Sequence, residues 1–238
     1  PSGAVGWPKR WTARTARPSH VAVAFDESLS RSFRNRISPA YKANREPAPP
    51  ELRRQFELCR EACRLLGLAT FSSPEYEADD LIGTIATRLR PQGHRAVFVT
   101  RDKDLAQLIR EGDAWFDWAA ERRLGYADIE SHFGARPERM ADYLALAGDA
   151  SDNIRGVPGI GPRTAAALLG VFSSLEEIYA SLGRVAALPI RGAARLPERL
   201  LAHREDAWLA RRLTTIACDM PIDVTPERCA AASRRSSG

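Results

Sequence analysis

Eight acidic side chains fall in four short clusters, each beside structural punctuation. Asp26 closes the apolar run VAVAF. Glu77, Asp79 and Asp80 form EADD near a helix start. Asp102 and Asp104 form RDKD directly after AVFVT, and Asp149 and Asp152 form GDASD after the helical run MADYLALA. In an open parallel sheet, ligands bind beyond the carboxyl ends of the strands, where Asp26, Asp102 and Asp104 are predicted to lie. A carboxylate beside a buried strand needs a partner, because an unpaired buried charge is costly. No matching set of Lys or Arg is interleaved at the strand ends, so divalent cations with oxygen-only ligation, Mg²⁺ or Mn²⁺, are expected to neutralise the acids. Two such ions can activate water and stabilise the leaving oxygen in phosphodiester hydrolysis. Taken singly, each cluster has a plainer reading. RDKD and EADD also suit helix caps and dipole complements, and Asp149 and Asp152 also suit a turn. The four clusters together favour the metal site.

Competing chemistries have little support. His20, His94, His132 and His203 are scattered, and neither GxSxG nor GxGxxG occurs. Cys59 and Cys63, four apart on one helix face, read as core, and the absence of CxxC argues against a zinc knuckle. A second motif does carry function. Residues 156–170 read GVPGIGPRTAAALLG, with Gly156, Gly159 and Gly161 in a tight hairpin and Pro162 suited to the first helical turn. Such glycines let a phosphate approach the N–H groups of a helix start, holding a nucleic-acid backbone without reading bases. Arg163 adds charge. The plainer alternative is an ordinary helix–turn–helix with Gly/Pro punctuation.

The elements that must position these groups alternate between strand and helix. HVAVAFD (20–26) and HRAVFVT (94–100) read as buried strands, and TFSSP (70–74) as a short strand and turn. The basic stretch 31–50 reads as a mobile loop or arch. Residues 51–68 repeat Leu52, Phe56, Cys59, Cys63 and Leu66 on one helix face. Residues 75–93 form a helix with acids first and Arg last, 101–112 a loop into a short helix, and 114–134 a hairpin followed by a helix from about Tyr126. This alternation predicts a parallel α/β sheet covered on both faces. Beyond about residue 138 the pattern turns all-helical, so the expected domains are 1–138 and 139–225, with 226–238 a disordered tail.

The 238 residues carry a net charge of +5, unevenly placed. Residues 1–60 hold 12 Lys/Arg against 5 Asp/Glu, whereas residues 61–238 hold 23 against 25, so the basic excess lies in the first quarter. Concentrated positive charge is the footprint of a polyanion binder. High Arg usage tempers that reading, because only Lys9, Lys42 and Lys103 are lysines. The apolar runs are too short for a membrane helix, and four Cys without a framework point to a reduced, intracellular setting. The chain opens on Pro1 without a signal-peptide pattern and reads as starting inside a domain.

The assembled motifs resemble the 5′-nuclease family, which comprises the 5′→3′ exonuclease domain of bacterial DNA polymerase I, its free-standing relatives and flap endonucleases. The matching segments are AVAFD (22–26), SFR (32–34), YKANR (41–45), EADDLIG (77–83), TRDKDLAQL (100–108), LALAGDASDNIRGVPGIGPRTA (144–165) and LTTIACD (213–219). The resemblance implies a PIN-like nuclease core followed by a helix-two-turn-helix domain, acting on DNA with 5′ ends or flaps and on RNA-primer hybrids, as a monomer in the bacterial cytoplasm near the nucleoid. It implies that Asp26, Glu77, Asp79 and Asp80 surround a first metal and that Asp102, Asp104, Asp149 and Asp152 surround or approach a second. Lys42 and Arg45 would contact the scissile phosphate, with Arg34 holding a threaded strand. Tyr41 and the segment from Gly156 through Gly159, Gly161 and Arg163 to Thr164 would contact DNA, and a potassium ion would sit at the hairpin. The chain departs from the family at its front, where a first strand ending in a metal-binding Asp is expected and Pro8 fits the following helix poorly. A non-catalytic DNA-binding protein of the same fold is therefore an alternative. A PIN-type ribonuclease is a weaker one.

Overall fold

A computed structural model describes residues 18–27 and 31–231. The expectations for residues 1–17 and for the end of the tail lie outside the described residues. Strand β1 (Ala22–Asp26) pairs in parallel with β2 (Ala69–Ser73), in a register that sets Asp26 opposite Ser73. Between them run α1 (Phe33–Ile37) and α2 (Pro50–Leu65). Helix α3 (Ala78–Leu89) then leads to β3 (Val97–Val99), which pairs in parallel with β4 (Ala114–Asp117). Strand β5 (Arg122–Gly125) returns antiparallel to β4 and feeds α4 (Tyr126–Phe133).

Two small sheets result, β1–β2 and β3–β4–β5. One edge of β1 and one edge of β3 border an apolar cleft of about 560 Å³ lined by Val21, Val23, Val97, Phe98, Leu105 and Cys229.

The remainder is helical: α5 (Met140–Ala147), α6 (Pro162–Val171), α7 (Leu175–Ala180), α8 (Leu182–Ala186), α9 (Leu196–Ala202) and α10 (Arg204–Thr214). One hydrophobic core runs through both halves, from Phe98 and Trp115 through Leu144 and Leu146 to Leu168, Phe172 and Leu200. After α10 the chain returns to the strand-containing half. There Ile216 N–H donates to Gln107, Ala217 N–H to Asp80, and Met220 N–H to Thr84.

Three expectations change. Residues 226–231, assigned to a disordered tail, form the short helix α11 (Pro226–Cys229) and dock on β1, with Cys229 buried and its carbonyl accepting Val21 N–H at 2.7 Å. Helix α2 forms as expected, but Leu52, Phe56 and Leu66 stay exposed and only Cys63 is buried. The helix is tethered near its end, where Arg60 lies over the Phe25 ring at 5.6 Å and pairs with Glu27 at 3.7 Å. The stretch 31–50, expected to be a mobile loop, holds α1 and a turn docked on the 150–153 loop. Lys42 N–H donates to the Asp152 carbonyl, and Asn153 and Asn44 side chains tie Ala40 and Ala150.

Candidate active site

The four acidic segments meet where β1, β3 and α5 end and α3 begins. Asp26 closes β1 and its Oδ1 accepts Ala78 N–H at 2.7 Å, so the carboxylate also completes the positive end of α3. Asp79, one residue further, is half-buried, and its pKa stands well above the ordinary carboxylate range. Burial is the main cause, and Asp102, Asp26 and Asp104 add repulsion that Lys42 partly offsets. Asp102 follows β3 and caps its own loop, accepting Asp104 N–H at 2.9 Å. The Asp104 pKa is pushed up to about 7, first by burial and then by Asp102, Asp149 and Asp152, against the opposing pull of Lys103. Its Oδ1 is buried and makes no hydrogen bond.

Asp149 and Asp152 sit on the loop that leaves α5. An antiparallel bridge between Asp149 and Ile154 closes this loop, and Ser151 donates to Asp149 Oδ1. Hydrogen bonds from Lys103 and Ser151 outweigh burial and hold the Asp149 carboxyl below its usual range. The loop depends on glycine at both ends. Gly148 and Gly156 have φ of 78° and 61°, and a Cβ on Gly156 would stand 2.3 Å from the Gly148 nitrogen.

The expectation that no cations are interleaved with the acids is corrected. Lys42 Nζ donates to Glu77 at 2.9 Å and lies 3.8 Å from Asp152. Lys103 Nζ pairs with Asp149 and stands 3.4 Å from Asp104. Arg45 pairs with Asp152. Lys42 holds a left-handed backbone, φ 53°, that a non-glycine residue adopts only when its surroundings fix it. Asp152 O, Glu77 and the Tyr41 ring together do so. The sequence motifs alone assign Lys103 no role. Its signal was its position between two acids in a chain nearly devoid of lysine.

Three predicted residues are placed elsewhere. Asp80 is fully buried, and its oxygens accept Arg34 at 2.7 and 2.8 Å together with Glu77 N–H and Ala217 N–H, so it faces a clamp and not a cation. Arg34 is 2% exposed and also donates to the carbonyls of Leu213 and Thr215, which withdraws it from any threaded strand. Tyr41 is 3% exposed with its hydroxyl between Glu77 and Asp152, 3.0 and 3.1 Å away, and presents no surface to DNA. Burial and those two carboxylates push its pKa upward.

The remaining carboxylates Asp26, Glu77, Asp79, Asp102, Asp104, Asp149 and Asp152 offer only oxygen donors, the chemistry that hard divalent cations require. Among the described residues no three of them already form a closed ligand group. The mutual repulsion of Asp26, Asp79, Asp102 and Asp104 and the unbonded Asp104 oxygen nevertheless fit a cation.

The glycine hairpin lies on the helical half. Val157 and Ile160 are buried anchors, whereas Gly159, Gly161, Pro162 and Arg163 are exposed and Thr164 is half-buried. Gly161 caps α6 with nothing near its missing side chain. Gly159, at φ 81°, lies against the Arg199 guanidinium, which donates to its carbonyl at 3.2 Å.

Residues 10–134 match the 5′-3′ exonuclease N-terminal resolvase-like domain, and residues 135–237 match the 5′-3′ exonuclease C-terminal SAM fold. DNA polymerase I of Pseudomonas aeruginosa is 43% identical over 87% of this chain, which spans 23% of that relative's length. The 5′-3′ exonuclease of Buchnera aphidicola is 36% identical, with 86% of this chain and 71% of that protein covered. The flap endonuclease Xni of Serratia proteamaculans is also 36% identical, with 87% and 80% covered. Among solved structures, T5 5′-exonuclease with bound zinc superposes with a TM-score of 0.69 at 23% identity, covering 87% of this chain and 77% of that one. The chain shares that fold, and by the matches along both halves it belongs to the 5′-3′ exonuclease family.

Proposed function

We propose that this chain is a metal-dependent 5′-nuclease that hydrolyses phosphodiester bonds in DNA near 5′ ends and flaps, with RNA-primer hybrids in its substrate range. The observation that carries the reading is the carboxylate cluster from four segments, in which Glu77, Asp149 and Asp152 are buried and an Asp104 oxygen is unbonded, bordered by Lys42 and Arg45. Asp26, Glu77 and Asp79 would hold one divalent cation and Asp102, Asp104, Asp149 and Asp152 a second, Mg²⁺ or Mn²⁺ by their oxygen ligation. When bound, such cations supply Lewis acidity and an activated water. Arg45, partly exposed, can exchange Asp152 for a phosphate oxygen, and Lys42 keeps positive charge at the same rim. The exposed start of α6 with Arg163 would hold the duplex backbone some distance from the cleavage point.

The test is cleavage of a labelled 5′-flap duplex by the chain, with Mg²⁺ and with EDTA. Cleavage that EDTA abolishes, and that Asp149→Asn lowers about 100-fold or more, supports the proposal. Flap binding with zero turnover would instead favour the non-catalytic DNA-binding reading. Cleavage of RNA alone would favour a ribonuclease.

A further inference from the structure

The described residues contain two lysines, and both occupy the carboxylate cluster. Arginine supplies nearly all the other cationic side chains of this chain. A guanidinium is a planar fork, whereas an ammonium is a compact point charge that can sit between two carboxylates from any direction. Each lysine does so across separate segments. Lys42 stands between Glu77 and Asp152, and Lys103 between Asp104 and Asp149.

The two are not equivalent. The Lys42 side chain is 9% exposed, lies over the Tyr41 ring and rides on a fixed turn. The Lys103 side chain is 41% exposed, and it starts from the loop between β3 and the short 3₁₀ helix Asp104–Leu108. It has solvent to move into and little packing to hold it. Opposite its ammonium, the Asp104 Oδ1 atom is buried without a hydrogen bond, so Lys103 neutralises that oxygen only from a distance.

We propose that Lys103 is a positioning residue: an internal counter-cation that holds Asp104 and Asp149 together in the metal-free protein and is displaced when a divalent cation takes those carboxylates. The inference rests on the reading of the cluster as a divalent-cation site, and it adds a competition between the protein's own ammonium and the metal. Without Lys103, Asp104 in the strand-containing half and Asp149 in the helical half would repel one another across the junction. With it, they stay close enough for a cation to enter with little rearrangement.

The experiment measures Mn²⁺ binding by the loss of the free-ion electron paramagnetic resonance signal, and thermal midpoints in EDTA and in saturating Mn²⁺. It compares the wild-type chain with Lys103→Met and Lys103→Arg. The proposal expects Lys103→Met to lower the midpoint in EDTA and to regain the wild-type value in Mn²⁺. It expects that variant to bind Mn²⁺ about tenfold more tightly, because no internal cation has to leave. Lys103→Arg, which keeps the charge, should retain the wild-type midpoint in EDTA. An equal loss of midpoint in EDTA and in Mn²⁺, or unchanged or weaker Mn²⁺ binding by Lys103→Met, would overturn the competition while leaving the metal site intact. If the wild-type chain takes up no Mn²⁺, the underlying site reading fails and this inference fails with it.

Discussion

In the folded chain the Asp104 pKa is pushed up to about 7, because the carboxyl is partly desolvated and stands beside Asp102, Asp149 and Asp152. An unfolded Asp titrates at about 3.9. Between those values the unfolded chain gives up its proton first, so the metal-free fold loses stability as pH rises through this window. Asp79, also raised, acts with the same sign. Asp149, held low, contributes stability that is already complete above the ordinary Asp value and does not reverse the slope. Urea unfolding in EDTA at steps from pH 4.5 to 7.5 should show a fall on the order of 1–3 kcal/mol, and Asp104→Asn should flatten it. A flat wild-type profile would contradict the raised pKa of these two acids. Arg34 gives a second test at this scale. Removing one partner of a buried pair leaves the other uncompensated, so Arg34→Met should cost about 3–5 kcal/mol of stability. The double variant Arg34→Met/Asp80→Asn should recover part of that loss. If Arg34 instead held a DNA strand, stability would hardly move and flap affinity would fall.

The glycine hairpin separates two reasons for glycine. At Gly156 the backbone is left-handed and an added Cβ would strike the Gly148 nitrogen, so Gly156→Ala should destabilise the loop that carries Asp149 and Asp152. At Gly161 the backbone is ordinary and the space is open. Gly161→Ala should therefore leave the thermal midpoint within about 2 °C, yet weaken duplex binding if a phosphate approaches α6 there. Fluorescence anisotropy with a flap duplex, beside a melting curve for each variant, separates the two effects. This element was legible in the sequence because its determinants are local: glycines, a proline at the first helical position and a following apolar helix all lie within residues 156–170. The DxD after β3 was legible for the same reason. Asp80 was not. Its partners Arg34 and Ala217 are 46 and 137 residues away, and nothing in EADD distinguishes an acid that faces a clamp from one that faces a cation. The exposed face of α2 misled in the opposite way, since a helical repeat of apolar residues shows amphipathicity but not whether anything packs against it.

Across the whole molecule, the carboxylate cluster draws on both half-structures, and the chain joins them twice. The first join is the shared core under α5 and α10. The second is the return segment 215–231, whose backbone donates to Asp80, Gln107 and Thr84 and whose Cys229 carbonyl accepts from Val21. Neither join lies within the two sheets, which remain separate, with the edges of β1 and β3 facing one apolar cleft. The hydrogen-bond pattern says which amides face that cleft. Ala96 O accepts from Ala114 and Thr100 N–H donates to Phe116, so alternate residues 96, 98 and 100 face β4 and the amides of Val97 and Val99 point the other way. Hydrogen exchange followed by NMR should therefore find Phe98 protected near the global limit. Val97 and Val99 should exchange at least about 100-fold faster, because opening the edge requires no unfolding. Equal protection at all three would mean that a further backbone segment fills the cleft in solution and makes one continuous sheet. In that case the C-terminal ends of β1 and β3, which carry Asp26 and Asp102 toward Asp79, would be tied to each other through one sheet and not only through their separate partners β2 and β4.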